Sequence, residues 1–321
     1  MNTELKLSAF ARYAWFVLAY NIVVILWGVV VRASLSGDGC GQFWLTCGGE
    51  VVPSAPQLKT VIEFSHRVTS GLAFVAVLVL LIWAFRRFAK GNLMRKMAFA
   101  SFVFISIEAL IGAVLVLFKL VALNPSMIRA FSMTAHLINT FVLLAVLTLT
   151  AWFASGGKSF SIRRGKISQL LAVAVFGILL ISASGSLAAL SSTLFPSTTL
   201  AEGLAQDFSD ASHILLRLRV SHPIFSISVG VYLIFLAGWL KAKAGNNRSV
   251  ARWSNFLSGL ILVQIAFGAL TLLTLAPILM QLGHLFLADA VWIAFVLMSA
   301  SFLAEQSEIK NFSFVAETQK I

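Results

Sequence analysis

The strongest constraint in this sequence is a succession of eight long apolar runs, roughly 13–33, 61–84, 97–118, 130–154, 167–189, 212–240, 252–274 and 277–303. A helix needs about 20 such residues to cross a bilayer. Backbone groups in lipid must be satisfied within their own segment, so each run is expected to be a membrane-spanning helix and the chain an all-α integral membrane protein. Composition agrees: 59% of the residues are hydrophobic and 11% are charged, against roughly 25% charged in a soluble domain. A soluble enzyme, a disordered chain and a nucleic-acid binder are thereby excluded, because no single core could bury that much apolar surface. The first run is too long for the core of a signal peptide and its flanks offer no clear cleavage site, so it reads as a retained span.

The net charge of +12 reflects basic loops on one side of the bilayer rather than a nucleic-acid partner. Lys6 and Arg12, the even-numbered loops (Arg86, Arg87, Lys90, Arg95, Lys96, Lys158, Arg163, Arg164, Lys166, Lys241, Lys243, Arg248, Arg252) and the tail residues Lys310 and Lys320 make 17 of the 24 basic residues. Both termini are therefore expected on the cytoplasmic side. Cys40 and Cys47 then fall in the outer loop 36–56, where disulfides are permitted. Joining them closes a small loop, worth about 2–3 kcal/mol. A stiffening staple and a redox-active pair both remain open on spacing alone.

The chain carries a weak internal repeat. Glu-Phe-Ser-His66-Arg-Val-Thr-Ser aligns with Arg-Val-Ser-His222-Pro-Ile-Phe-Ser at an offset of 156, and Glu108-Ala-Leu-Ile-Gly112-Ala aligns with Gln264-Ile-Ala-Phe-Gly268-Ala at the same offset. His136 aligns with His284 at 148. Two pseudo-symmetric four-helix bundles follow, about 1–160 and 161–321, parallel repeats about an axis along the membrane normal.

Of the five histidines, His66, His136, His222 and His284 fall on the even-numbered spans, a few turns from the outer end. One such histidine reads as a polar group gluing helices together. Four of them at one depth, paired by the repeat, point to function, since ionisable residues inside membranes are costly. Two imidazoles per bundle are too few for zinc but suit the axial positions of a haem iron, His66 with His136 and His222 with His284. Haem propionates need cations. Arg67, Arg129, Arg217 and Arg219 are placed for them, or alternatively anchor helix ends at lipid headgroups. His213 follows a polar stretch and reads as a loop or helix-cap residue, while an alignment of Asp210-x-x-His213 with Glu63-x-x-His66, at an offset of 147, keeps a ligand role open. Glu63 lies one turn before His66 on the same helix face. Its counterpart in the second unit is Arg219, so the two units differ where bond-changing chemistry would differ. Glu63 is the candidate base or proton acceptor, against the alternative of a salt bridge to Arg67. Glu108 and Asp289 are the other acids within spans, without an assigned role.

Taken together, Gly-Val-Val-Val-Arg32, the Cys40-x6-Cys47 loop, Glu63-Phe-Ser-His66-Arg67, His136, Arg217-Leu-Arg219-Val-Ser-His222-Pro223 and His284 resemble the haem A synthase family, in its bacterial branch. The resemblance covers essentially the whole chain. It implies two four-helix bundles in the bacterial cytoplasmic membrane, with haem sites near the outer face. It implies oxidation of the C8 methyl of haem O to the formyl of haem A for terminal oxidases. A resident haem b would sit on His222 and His284 in the second unit. Substrate haem O would sit near His66 and His136 in the first, with Glu63 catalytic and Cys40–Cys47 a disulfide. A haem O synthase, an electron acceptor and a second copy of the chain are the partners it suggests. The sequence departs from the family in lacking Pro-Asp-Trp-Pro in the cysteine loop and in having Pro223 where His-Arg is usual. Two other functions compete: a non-catalytic di-haem electron carrier, and a haem transporter, against which stands the lack of Gly and Pro clusters in mid-span.

Overall fold

The protein is described here by a computed structural model covering residues 7–162 and 164–318, without the side chains of 308–318. Lys6, Lys320, Arg163 and the Lys310 side chain, which enter the orientation argument, lie outside the described residues. The described chain forms ten helices: α1 (Ala9–Ala33), α2 (Leu58–Arg87), α3 (Leu93–Leu117), α4 (Met127–Ala154), α5 (Lys166–Leu194), α6 (Leu200–Phe208), α7 (Ile214–Arg219), α8 (Ser221–Lys243), α9 (Arg248–Leu273) and α10 (Ile278–Thr318). Eight segments are long and apolar enough to cross a membrane; α7 and α8 together make the sixth. The eight expected runs are all helical.

Side-chain caps set several helix starts. Ser8, Asn92, Ser126 and Asn247 accept from amides of the first turns of α1, α3, α4 and α9, which supplies partners for otherwise orphaned donors. Three helices end alike. After α1, α3 and α9 the chain turns through Leu35, Lys119 and Leu275 at φ 55°, 54° and 60°. The next amide closes on a carbonyl five residues back: Ser36 on Val31 at 2.9 Å, Leu120 on Leu115 at 2.8 Å, Ala276 on Thr271 at 2.8 Å. This closure satisfies terminal carbonyls, and it holds although each non-glycine residue costs about 1 kcal/mol there.

Two features depart from the expected layout. The sixth run, expected as one helix over 212–240, is divided at Val220 into α7 and α8. Pro223 explains the break: it lacks an amide hydrogen, and its ring excludes the carbonyl four residues earlier, at Arg219. The polar stretch before His213 is preceded by a short helix, α6, that was not expected. Thr199 caps it by accepting from the Glu202 amide at 3.1 Å, and Glu202 accepts in turn from the Thr198 amide at 2.8 Å.

Helix α1 packs on α2 and α4, and α3 packs on the same two. Helix α5 packs on α8, α9 packs on α8 and α10, and α10 touches α5. The first four spans meet the last four where α4 lies on α5 and α10, and where α1 lies on α10. Tyrosines tie neighbours within each group: Tyr13 and Tyr20 donate to the Ala76 and Thr69 carbonyls across α1/α2, and Tyr232 to the Leu170 carbonyl across α8/α5. One apolar core, from Phe10 through Leu144 to Phe302, runs across the junction. Trp292 donates to the Phe141 carbonyl over it at 2.6 Å. At the end carrying the cysteine loop, Arg32 bonds the Ala189 carbonyl (2.8 Å), Thr193 Oγ1 (2.7 Å) and Gln281 Oε1 (2.5 Å), joining α1 to α5 and α10.

Candidate functional site

The four histidines stand at similar depths. His66 lies 8 residues past Leu58, His136 9 past Met127, His222 8 past Ile214 and His284 6 past Ile278. At 1.5 Å per residue that is a layer roughly 9–14 Å in from one end of the bundle.

In the second group His222 on α8 and His284 on α10 face each other, with ring centroids 6.1 Å apart and planes at 86°. Ser184 Oγ donates to the Ile181 carbonyl at 3.0 Å and lies 3.2 Å from His222 Nδ1. Where the hydroxyl proton goes to Ile181, the oxygen is able to accept from Nδ1–H, and Nε2 is then the lone pair available to a metal. His284 Nδ1 is buried without a partner, and Gln264 Nε2 donates to the His284 carbonyl at 3.1 Å. Two helix glycines make room for the rings. A Cβ on Gly185 would lie 2.9 Å from His222 Cε1, and one on Gly268 2.9 Å from His284 Cε1.

In the first group His66 faces Gly28 on α1, where a Cβ would meet its Cε1 at 3.3 Å. The Nδ1 atoms of His66 and His136 are both buried without a hydrogen bond. Behind His136 stands Glu108, whose Oε1 lies 3.4 Å from His136 Nδ1, off the direction of a hydrogen bond. Asn139 (2.5 Å) and Thr140 both donate to this carboxylate. Glu108 is thus a fixed neighbour of one histidine, whereas its repeat counterpart beside His284 is the neutral Gln264.

Glu63 is buried and fully partnered. Its Oε2 accepts from the Cys40 amide at 2.7 Å, and its Oε1 accepts from Arg67 Nη2 at 2.5 Å and Nε at 3.2 Å. Arg67 Nη1 reaches the carbonyls of Phe43, Trp44 (3.3 Å) and Thr46 (2.9 Å). Cys40 and Cys47 form a disulfide. The loop it closes rests on the start of α2, where Thr60 Oγ1 donates to the Gly39 carbonyl at 2.8 Å. A Cβ on Gly39 would come within 2.5 Å of the Lys59 backbone, so this approach requires glycine. Disulfide loop, Arg67 and Glu63 therefore make one connected unit.

The other arginines also bond to protein. Arg219 holds Asp207 on α6 (2.6 Å) and the Gly203 carbonyl (3.2 Å). Arg129 is buried and donates to the Ala122 (2.5 Å) and Asn124 (2.9 Å) carbonyls, with Nε unpartnered. Arg217 is half-exposed and reaches the exposed Asp210 at 3.5 Å. His213 caps α7, its Nδ1 accepting from the Leu215 amide at 3.2 Å. Among the described residues no group of three or more His, Cys, Asp or Glu could hold a metal ion.

Sequence reasoning missed Gly28, Gly185, Gly268, Ser184 and Asp207. The glycines carried a signal: Gly268 sits inside the aligned repeat, and Gly28 and Gly185 lie 157 residues apart. A glycine kept in a helix against its propensity cost usually marks a close approach. Thr199-x-x-Glu202 is a capping-box pattern that announces α6. Ser184 gave no sign of its partner.

Comparison with known proteins adds the following. Residues 11–296 match the family model COX15-CtaA, described as cytochrome oxidase assembly protein. A protein of Thermus thermophilus, named protoheme IX farnesyltransferase, is 44% identical over 297 residues, 92% of this chain and 49% of that protein. The chain thus spans about half the length of that relative. Proteins named heme A synthase are similar over shorter stretches. That of Geobacillus kaustophilus is 33% identical over 171 residues, 52% of each chain. That of Halalkalibacterium halodurans is 37% identical over 130 residues, 39% of this chain and 42% of that one.

Proposed function

Because the chain belongs to the COX15-CtaA family of cytochrome oxidase assembly proteins, we propose that it is a membrane oxidoreductase converting haem O to haem A by oxidising the C8 methyl to a formyl group. In this reading residues 1–160 and 161–321 are two related four-helix bundles with both termini cytoplasmic. The like closures of α3 and α9, at Lys119 and Leu275, support the relation. The second bundle holds a resident haem b on His222 and His284, and the first receives haem O at His66 and His136.

The observation that carries the reading is the His222–His284 pair. Two imidazoles facing each other from separate helices are a donor set that would hold a haem iron between them. The rings here are 6.1 Å apart. Ser184 Oγ lies within hydrogen-bond distance of His222 Nδ1, and glycine at 185 and 268 leaves room for the rings. The donor set fits haem. When bound there, haem supplies one-electron redox chemistry.

The chain's own residues do the rest. Glu63 is the acid beside the first pair, held by the Cys40 amide and Arg67 so that its oxygens keep one position; its role is to accept protons in the net change R–CH3 + H2O → R–CHO + 4 H+ + 4 e−, whose electrons pass to an acceptor outside the chain. Glu108, held by Asn139 and Thr140, puts a fixed negative charge beside His136. Arg129, with its unpartnered Nε, and Arg217, with its loosely held guanidinium, are best placed for the propionates, whereas Arg67 and Arg219 already bind loop and helix. Haem O is a farnesylated haem, so a farnesyltransferase acting on protohaem IX must supply it. The Thermus relative of double length supports an association between the two activities. The present chain is not itself read as the transferase.

The full set of partners around Glu63 favours a second reading, a non-catalytic di-haem carrier with a structural acid. One experiment separates them: purified protein supplied with haem O, its pigments extracted and identified by mass. The enzyme yields haem A, and Glu63→Ala keeps bound haem but yields none. Haem O recovered unchanged from the wild-type protein under oxidising conditions overturns the proposal.

A further inference from the structure

Glu108 on α3 and Gln264 on α9 occupy equivalent places in the two units, at the offset of 156 that also relates His66 to His222. Each stands against the second histidine of its unit. Glu108 Oε1 lies 3.4 Å from His136 Nδ1. Gln264 Nε2 lies 3.5 Å from His284 Nε2 and donates to the His284 carbonyl at 3.1 Å. The difference between the two is charge. Donors hold Glu108 in place. Asn139 Nδ2 gives one hydrogen to Oε2 at 2.5 Å and the other to the Phe104 carbonyl at 3.0 Å. Thr140 Oγ1 shares its hydrogen between Oε1 and the His136 carbonyl. The Glu108 side chain is 18% exposed, so its charge is only partly screened. An ionisable group inside a span is expensive and is usually there for function. Packing alone does not require one, since Gln264 makes the like contact between α9 and α10 without charge.

We propose that Glu108 is a positioning residue acting through His136: it lowers the reduction potential of iron held there, relative to iron held at His284. The inference rests on the haem reading of the two pairs. The nitrogen of His136 turned to Glu108 is Nδ1, which leaves Nε2 for a metal. With Nε2 so committed, the ring hydrogen sits on Nδ1, and the carboxylate is the acceptor beside it. An anionic neighbour at the far nitrogen makes the imidazole a stronger donor. A negative charge at that distance also favours the more positive ferric state over the ferrous one. Neutral Gln264 gives iron at His284 no such bias. At an effective dielectric near 20, a charge several ångströms away shifts the ferric-to-ferrous ratio about tenfold, which for one electron is about 59 mV. The unit with the lower potential is then the unit that carries Glu63.

The test uses the full chain in detergent, loaded with iron protoporphyrin IX at both pairs and titrated anaerobically by optical spectroelectrochemistry. Glu108→Gln keeps the shape and removes the charge. It should raise one midpoint by about 59 mV, a tenfold change in ratio, and leave the other in place. Glu108→Asp keeps the charge and should stay within about threefold of the wild-type ratio. Gln264→Glu should lower the other midpoint by a like amount, so the proposal remains testable if Glu108→Gln folds poorly. A residue that only packs α3 against α4 would move no midpoint. Haem bound at both pairs with neither midpoint moved, or the same shift from Glu108→Asp as from Glu108→Gln, overturns this proposal and leaves the haem reading standing. A wild-type haem content that His136→Ala leaves unchanged overturns both, because the first pair then holds none.

Discussion

Adding one methyl group to α9 should unseat the second haem. Gly268→Ala places a Cβ 2.9 Å from His284 Cε1, about 0.5 Å inside the 3.4 Å edge of ordinary contact. The neighbour is a ring rather than a flexible chain end, so the imidazole must tilt or α10 must move. Elsewhere in a helix the same change is favourable by about 1 kcal/mol through propensity; here overpacking costs about 1–3 kcal/mol. That cost falls on ligand geometry, which needs His284 aligned with His222. The expected result is a haem-to-protein ratio lowered several-fold by pyridine haemochrome assay, with helicity unchanged. Gly185→Ala meets His222 Cε1 at the same 2.9 Å and should behave alike, Gly28→Ala at 3.3 Å should be mild, and Gly112→Ala meets nothing within 4 Å and should be silent or stabilising. If Gly268→Ala and Gly112→Ala retain haem equally, the rings are not held where the structure has them and the argument for paired ligation fails.

Replacing His222 or His284 with Ala should abolish the resident haem spectrum; an unchanged spectrum rejects the assignment. Glu63→Gln keeps the shape but removes the charge facing Arg67. It should lower haem A yield by more than tenfold, about 1.4 kcal/mol, while bound haem stays level in the same extract. Arg32→Ala removes three hydrogen bonds that join α1 to α5 and α10. At about 1–3 kcal/mol for a charged bond it should lower the melting temperature in detergent by several degrees, with Arg32→Lys intermediate. Cys47→Ser opens the loop, at a cost of about 2–3 kcal/mol; cleavage between residues 40 and 50 under limited proteolysis should rise in the variant and not in the wild type.

The spans were legible because apolar length is a one-dimensional signal, and the eight runs became helices with ends displaced by a few residues. The histidine layer was legible because the repeat supplied a ruler. The break at Val220 was written in Pro223, yet the apolar run around it outweighed one residue. The arginines were harder. Charge and position said that they stand near the cysteine-loop end, but only coordinates reveal that Arg219 turns to Asp207, which arrives on a helix not foreseen, and that Arg67 gathers three carbonyls of the cysteine loop. Glu63 drew notice from the sequence by its place one turn before His66. Its link to the Cys40 amide depends on how the long outer loop folds back over its own helix, and no spacing rule encodes that.

That link from the Cys40 amide to Glu63 Oε2 bears on when the protein becomes competent. Until the two sulfurs are joined, the backbone that steadies the acid is free to wander, and Arg67 has no ordered carbonyls to grip. A newly inserted chain would carry its full complement of helices and histidines while its acid was still unanchored. Ordering of this corner would then wait on an oxidant rather than on insertion, so the thiol chemistry of one compartment would set the moment at which Glu63 gains its backbone partner.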